Sequence, residues 1–256
     1  MLLAIDVGNT ETKLAAFGAD DVPMGTWRIT TARRRTSDEY GVLFAAFFSA
    51  AHFAIEQISA IVISSVVPVV DRPLAEGCEK YVGIRPTFFT AAAQKLIGIR
   101  TDRPTELGAD LAAAAIGAVV IVGSPAIVIN FGTATTFGAI DRAGDFLGAA
   151  IAPGIQISFD ALVGRAAKLP QVALEAPPMP FGRDTVTSLQ AGIVFGAVGQ
   201  TEGIITRMRA VLGDDARVIA SGGLAPIVAR ESTMIEQVEP HLVLRGLLAH
   251  YRSLSG

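Results

Sequence analysis

Apolar and polar positions fall into blocks that read as strands and helices, and the same order of blocks occurs twice along the chain. The apolar run "LLAID" (2–6) predicts a strand that ends in a turn, and residues 12–17 and 26–30 predict two more. Next comes "TSDEYGVLFAAFFSAAHFA", where Thr36 and Glu39 have the spacing of a capping box and later apolar residues recur at helical intervals. The β-branched run "AIVISSVVP" (60–68), closed by proline, predicts a buried strand. Asp71 then offers an N-cap for a helix with Pro73 in its first turn, and "RPTFFT" predicts a short strand.

The second half repeats this order. "AIVIN", "TTFGAID" and "FLGAAIAPG" predict three strands, with helices at 155–165 and 185–212. "ARVIASGG" (216–223) is a further buried strand closing on a glycine pair, and "HLVLRGLLAHYRSL" is a last helix. The Pro-rich stretch 175–182 is expected to be an ordered loop. The pattern implies an internal duplication with its seam in the helical stretch between Asp110 and Gly123. It predicts an α/β chain of two domains, 1–115 and 116–256.

Composition narrows the function classes. The 256 residues are 51% hydrophobic and 18% charged, so a well-filled core is expected and disorder is not. The net charge of −3, with no basic run longer than Arg33, Arg34 and Arg35, gives no electrostatic case for nucleic acid. One cysteine, Cys78, excludes an intrachain disulfide and a cysteine metal cluster. The longest apolar stretch, 111–123, falls short of the about 18 residues that span a bilayer. "MLLAID" carries no basic flank or cleavage pattern. A cytoplasmic protein with no membrane partner is the expectation.

The candidate chemistry lies in two similar Gly loops. "DVGNTETK" (6–13) joins two predicted strands, and Gly8 is expected to allow positive φ and close backbone approach. Asn9, Thr10 and Thr12 offer donors, turn amides can form a nest for phosphate oxygens, and Lys13 adds a point charge. Asp6 at the strand end could hold a hydrated Mg²⁺ beside such phosphates. An ordinary β-hairpin explains one such loop as well. Two loops at equivalent points of two half-chains point instead to a nucleotide clamp, with "FGTATTF" (131–137) as the second member. Gly222 and Gly223, directly after a buried strand, would let backbone approach a purine, or simply turn the chain.

Taken in order, "DVGNT", "VGIRPTFF", "PTELGAD", "FGTATTF", "IAPGIQIS", "AKLP", "GRDT" and "SGGLAP" resemble the type III pantothenate kinases of bacteria, within the actin, acetate kinase and sugar kinase superfamily. The resemblance covers almost the whole chain. It implies two ribonuclease H-like domains, each a mixed five-stranded sheet with flanking helices, and a nucleotide cleft between them. It implies a homodimer that transfers the γ-phosphoryl group of ATP to pantothenate, the first step toward coenzyme A. By the resemblance, Asp6, Val7, Gly8, Asn9, Thr10, Glu11, Thr12, Lys13, Thr133, Gly222 and Gly223 contact ATP, with Asp6 acting through Mg²⁺. Asp110 becomes the base, Gly108, Ala109, Leu111 and Thr185 line the acceptor site, and Asn130 meets a monovalent cation, K⁺ or NH₄⁺. From the residues alone, Asp110 reads equally as a cap or first-turn acid of the helix after it, and Thr185 as a helix cap.

Three departures from the family fall on acceptor and cation contacts. Leu111 stands where Arg is usual, Thr101 with Arg103-Pro104 where Tyr and Asn-Pro are usual, and Asn130 where Asp is usual. Leu cannot make the fork that Arg offers a carboxylate, so Arg103 is a candidate substitute. A same-fold kinase for another small hydroxylated molecule and a degenerate ATP-binding paralogue therefore stand as alternatives.

Overall fold

The computed structural model describes residues 1–166 and 168–255; Ala167, within "AKLP", and Gly256 lie outside them. The chain forms two compact units. One comprises Met1–Ile97, Asp102–Val120 and the chain from Leu242 onward, and the other comprises Gly98–Thr101 and Ile121–His241.

In the first unit, β1 (Leu2–Val7), β2 (Glu11–Phe17) and β3 (Pro23–Thr30) form an antiparallel meander. β4 (Ala60–Ser65) joins β1 in parallel and β5 (Thr87–Phe88) joins β4, giving the order β3-β2-β1-β4-β5. The second unit has β6 (Ala126–Phe131), β7 (Ala134–Ile140), β8 (Phe146–Pro153), β9 (Arg217–Ser221) and β10 (Gln237–Val238). Its order, β8-β7-β6-β9-β10, is the same topology, so the inferred duplication is present in the fold.

Side-chain alternation decides what each sheet face covers. Leu3, Ile5 and Val7 of β1 point into a core with Tyr40, Phe44 and Phe48 of α1 (Ser37–Ala50) and Val70 and Leu74 of α2 (Pro68–Gly77). Against the opposite face packs α7 (Leu242–Ser255), which meets α3 (Ala109–Val122) so closely that a Cβ on Gly246 would collide with the Ala113 carbonyl. In the second unit Ile127, Ile129 and Phe131 share a core with Val198 and Ile205 of α5 (Thr185–Leu212) and Val228 of α6 (Ala225–Glu231). α4 (Ile155–Arg165) and α5 have the bounds the pattern predicts. No described helix is long and apolar enough to cross a membrane.

Several local expectations are corrected. The strand expected to run to Pro68 ends at Ser65, and α2 begins at Pro68, whose missing N–H costs nothing at a first helical position. Asp71 is therefore not an N-cap; it lies in the first turn and accepts a 2.5 Å hydrogen bond from Ser65 Oγ. Pro73 sits inside the helix rather than in its first turn. Thr185 does not cap α5: Asp184 does, accepting from the Thr187 N–H at 2.9 Å. The capping box of α1 forms as the spacing predicts, with Thr36 and Glu39 bonding reciprocally. The short elements α6 and β10 escaped the periodicity.

Candidate functional site

The β1–β2 turn is closed by the Gly8 N–H donating to the Glu11 carbonyl at 3.0 Å. Gly8 is not among the glycines with positive φ, contrary to expectation. What restricts it is proximity, since a Cβ there would sit 3.1 Å from the Glu11 oxygen. Asn9 and Thr10 are exposed at the tip. Val7 belongs to the core, Glu11 is ion-paired with Arg28 at 3.5 Å, and Thr12 is 1% exposed, its hydroxyl 2.9 Å from that of Thr31.

Sheet register then assembles a charged group at the end of β1. Asp6 lies opposite Lys13 on β2 and opposite Ser64 on β4, so the three side chains share one sheet face. Asp6 Oδ1 and Ser64 Oγ are both shut off from solvent and have no hydrogen-bond partner. Buried polar atoms ordinarily find partners, so these two oxygens have bonding capacity left for a ligand or water. Ser64 was not predicted, because its neighbour in the sheet is remote in sequence. The charge of Asp110 also reaches Asp6. Burial first, and then the like charge of Asp110, push the Asp6 carboxyl from its ordinary 3.8 to about 7, against a lowering pull from Lys13.

Asp110 is the second residue of α3, where helix N–H groups are unpaired. Its Oδ1 accepts from the Leu111 N–H at 2.8 Å, so of the two helical roles open to it the structure gives the first-turn acid. Burial raises its pKa, outweighing the backbone hydrogen bonds that lower it. Gly108 leaves room for this carboxylate, which lies 2.6 Å from where a Cβ would be. Ala109 and Leu111 are half-buried beside it. Arg103 is exposed, and its Nη1 donates to Glu106 Oε1 at 2.9 Å.

The second unit presents the neutral counterpart. Asn130 occupies the β6 position equivalent to Asp6, opposite Thr136 of β7 and Ser221 of β9. The hydroxyls of Thr135 and Thr136 are buried and unpartnered. Thr133 is exposed in the β6–β7 turn. Gly222 has φ of 100° and packs on Phe131, where a Cβ would collide with the carbonyl oxygen, whereas nothing lies within 4 Å of the Cβ position of Gly223. Thr101 Oγ1 is likewise buried and unpartnered. Thr185 lines an open groove of about 560 Å³ with Gly182, Arg183, Asp184 and Ser188. Among the described residues no group of three His, Cys, Asp or Glu side chains is placed to hold a metal ion.

Comparisons with known proteins bear on the family and the fold. Residues 2–207 match the family model described as type III pantothenate kinase. A protein named type III pantothenate kinase from Moorella thermoacetica is 44% identical over 251 residues, covering 98% of each chain. One of the same name from Myxococcus xanthus is 45% identical, again over 98% of each chain. Among solved structures, a putative 2-dehydro-3-deoxygalactonokinase from Sinorhizobium meliloti is similar in fold, with a TM-score of 0.62 at 15% identity, covering 99% of this chain and 97% of that one. A conserved putative Baf family transcriptional activator from Campylobacter jejuni has a TM-score of 0.59 at 17% identity, covering 99% and 98%. The twice-used sheet is thus a fold shared with those solved structures, and this chain belongs to the type III pantothenate kinase family.

Proposed function

We propose that this chain transfers the γ-phosphoryl group of ATP to the primary hydroxyl of pantothenate, giving 4'-phosphopantothenate, the first step of coenzyme A biosynthesis. The observation that carries the reading is the pair of carboxylates in the first unit, Asp6 with an orphaned buried oxygen and Asp110 at the head of α3. Asp110 is the general base: it accepts the hydroxyl proton as the oxygen forms its bond to the γ-phosphorus and the bond to the ADP oxygen breaks. A carboxylate whose pKa is raised by burial is better matched to that task near neutral pH. Asn9, Thr10 and Lys13 bind the phosphates, and Thr133 with the Gly222–Gly223 turn contacts the nucleotide. Phosphoryl transfer asks mainly for such positioning and charge neutralisation.

Asp6, with no group of three His, Cys, Asp or Glu ligands among the described residues, fits an Mg²⁺ ion that arrives on the phosphates rather than one held by the protein alone. Asp6 would hold it, and when bound it would supply positive charge that offsets the charge of the phosphates. At Asn130 the donors are an amide and the hydroxyls of Thr136 and Ser221, a neutral set that suits a weakly held monovalent cation. The homodimer also belongs to the proposal. α3 leaves Val120 as its exposed large apolar residue, so the candidate surface is on β8 and α4, where Ile151, Ile157 and Leu162 are exposed. Light scattering in solution tests it.

One observation favours a second reading. Leu111 places an apolar side chain beside the base, which suits a hydroxylated acceptor without a carboxylate. A single assay separates the two, using purified protein, ATP, Mg²⁺ and either pantothenate or pantothenyl alcohol. Turnover of pantothenate that falls by about 10³-fold in Asp110→Asn, with ATP binding kept, supports the first reading. Turnover of the alcohol alone moves the substrate to the second.

A further inference from the structure

The hydrogen bonds behind the phosphate loop single out a residue that no motif contains. Thr31 follows β3, outside the hairpin, and is 8% exposed. Its hydroxyl donates to the Gly8 carbonyl at 2.7 Å, and its backbone N–H donates to the Thr10 carbonyl at 2.9 Å. Two of the loop's acceptors are thereby drawn to one residue.

Proton accounting fixes the rest. A threonine hydroxyl carries a single proton, and that of Thr31 goes to Gly8. In the 2.9 Å contact between the Thr31 and Thr12 hydroxyls, Thr12 must then be the donor. The Thr12 proton is thus committed to Thr31, in keeping with the 1% exposure of Thr12. The peptide joining Gly8 to Asn9 is planar and trans, so its N–H points opposite to its C=O. With the Gly8 carbonyl held on Thr31, the Asn9 N–H faces the other side, at an exposed turn residue near the Asp6 end of β1.

We propose that Thr31 is a positioning residue for the nucleotide phosphates: backed by Thr12, its hydroxyl holds the Gly8 carbonyl away from the phosphate oxygens and aims the Asn9 N–H at them. The proposal rests on the ATP-using reading above. It changes the part played by Thr12, which supports the loop instead of donating to phosphate. Without the Thr31 hydroxyl the Gly8–Asn9 peptide loses the bond that fixes its carbonyl, and a rotated peptide would set a carbonyl oxygen against phosphate charge.

The test measures affinity for the Mg²⁺ complex of a non-hydrolysable ATP analogue by calorimetry, together with steady-state kinetics and thermal unfolding. Thr31→Val removes the hydroxyl at nearly constant volume, and Thr31→Ala is measured beside it in case the second valine methyl disturbs folding. Thr31→Ser keeps the hydroxyl. The expected result is a loss of about tenfold or more in analogue affinity and a matching rise in KM for ATP in the first two variants, the size expected for one hydrogen bond to a charged group. The KM for pantothenate should hold, and Thr31→Ser should stay within about threefold of the parent protein. If a folded Thr31→Val or Thr31→Ala binds the analogue as the parent does, or if Thr31→Ser falls as far as Thr31→Ala, the proposal is overturned. If the parent binds the analogue but does not phosphorylate pantothenate, the acceptor assignment fails and the affinity series still decides on Thr31. A parent protein that binds no analogue overturns both.

Discussion

Replacing Asp6 by Asn should make the ligand-free protein more stable, by an amount that depends on pH. The Asp6 carboxyl titrates at about 7 in the fold against an ordinary 3.8, a gap of about 3 units. Each unit corresponds to about 1.36 kcal/mol, so ionised Asp6 costs the folded state about 4 kcal/mol above pH 7. Between the two values the native state binds more protons than the unfolded chain, so stability falls as pH rises through that window and levels off above it. Asn carries no proton to lose. It still leaves a buried polar group short of partners, at about 1–3 kcal/mol, but that cost does not vary with pH. Comparing two pH values therefore isolates the charge. About 2 of the 3 units lie above pH 5, so the advantage of Asp6→Asn should grow by about 3 kcal/mol between pH 5 and pH 8. Urea titrations of both proteins at pH 5, 6, 7 and 8, with chelator and without nucleotide, measure this. Parallel stability curves across the range would refute the claim that Asp6 is held as a strained, desolvated carboxylate.

Further outcomes follow from the backbone and the caps. Gly222→Ala forces a side chain onto a residue at φ 100° and into the Phe131 carbonyl, and should cost about 3 kcal/mol or more in chemical denaturation. Gly223→Ala meets open space and should leave stability within about 1 kcal/mol, so any loss of nucleotide affinity there reports on the site alone. Thr36→Ala breaks the capping box in which Glu39 N–H donates to Thr36 Oγ1 and Thr36 N–H to Glu39 Oε2. It should cost about 1 kcal/mol in urea unfolding and leave kinetics unchanged.

What the sequence carries legibly is whatever depends on near neighbours. The capping box of α1 could be read because both partners lie within one turn, and the buried strands because β-branched runs have few other homes. The strand ending at Ser65 was over-extended because Val66 and Val67 prolong the apolar run, and Pro68 serves equally to end a strand or start a helix. A choice of one residue decided the cap of α5, where Asp184 and Thr185 are adjacent and both suited. The site divides in the same way. Asp6 and Asp110 stand out in sequence, but Ser64 reaches Asp6 through parallel strand pairing, and Thr31 reaches Gly8 across a hydrogen bond that no spacing encodes.

The duplication shows how one backbone was given two electrostatic characters. β1 and β6 share the same burial pattern, four buried positions followed by one half-buried polar residue and then a buried one. That residue is Asp6 in the first copy and Asn130 in the second. Around Asp6 stand an ammonium and a hydroxyl, Lys13 and Ser64; around Asn130 stand two hydroxyls, Thr136 and Ser221. The frame therefore does not require a charge at this point, since the second copy forms the same sheet without one. A carboxylate kept where burial opposes its ionisation destabilises the empty fold, and an amide at the equivalent point avoids that cost. The first unit keeps an ionisable carboxyl at this point against that penalty, which is the physical ground on which the proposed function puts Mg²⁺ at Asp6 and only a weakly held monovalent cation at Asn130.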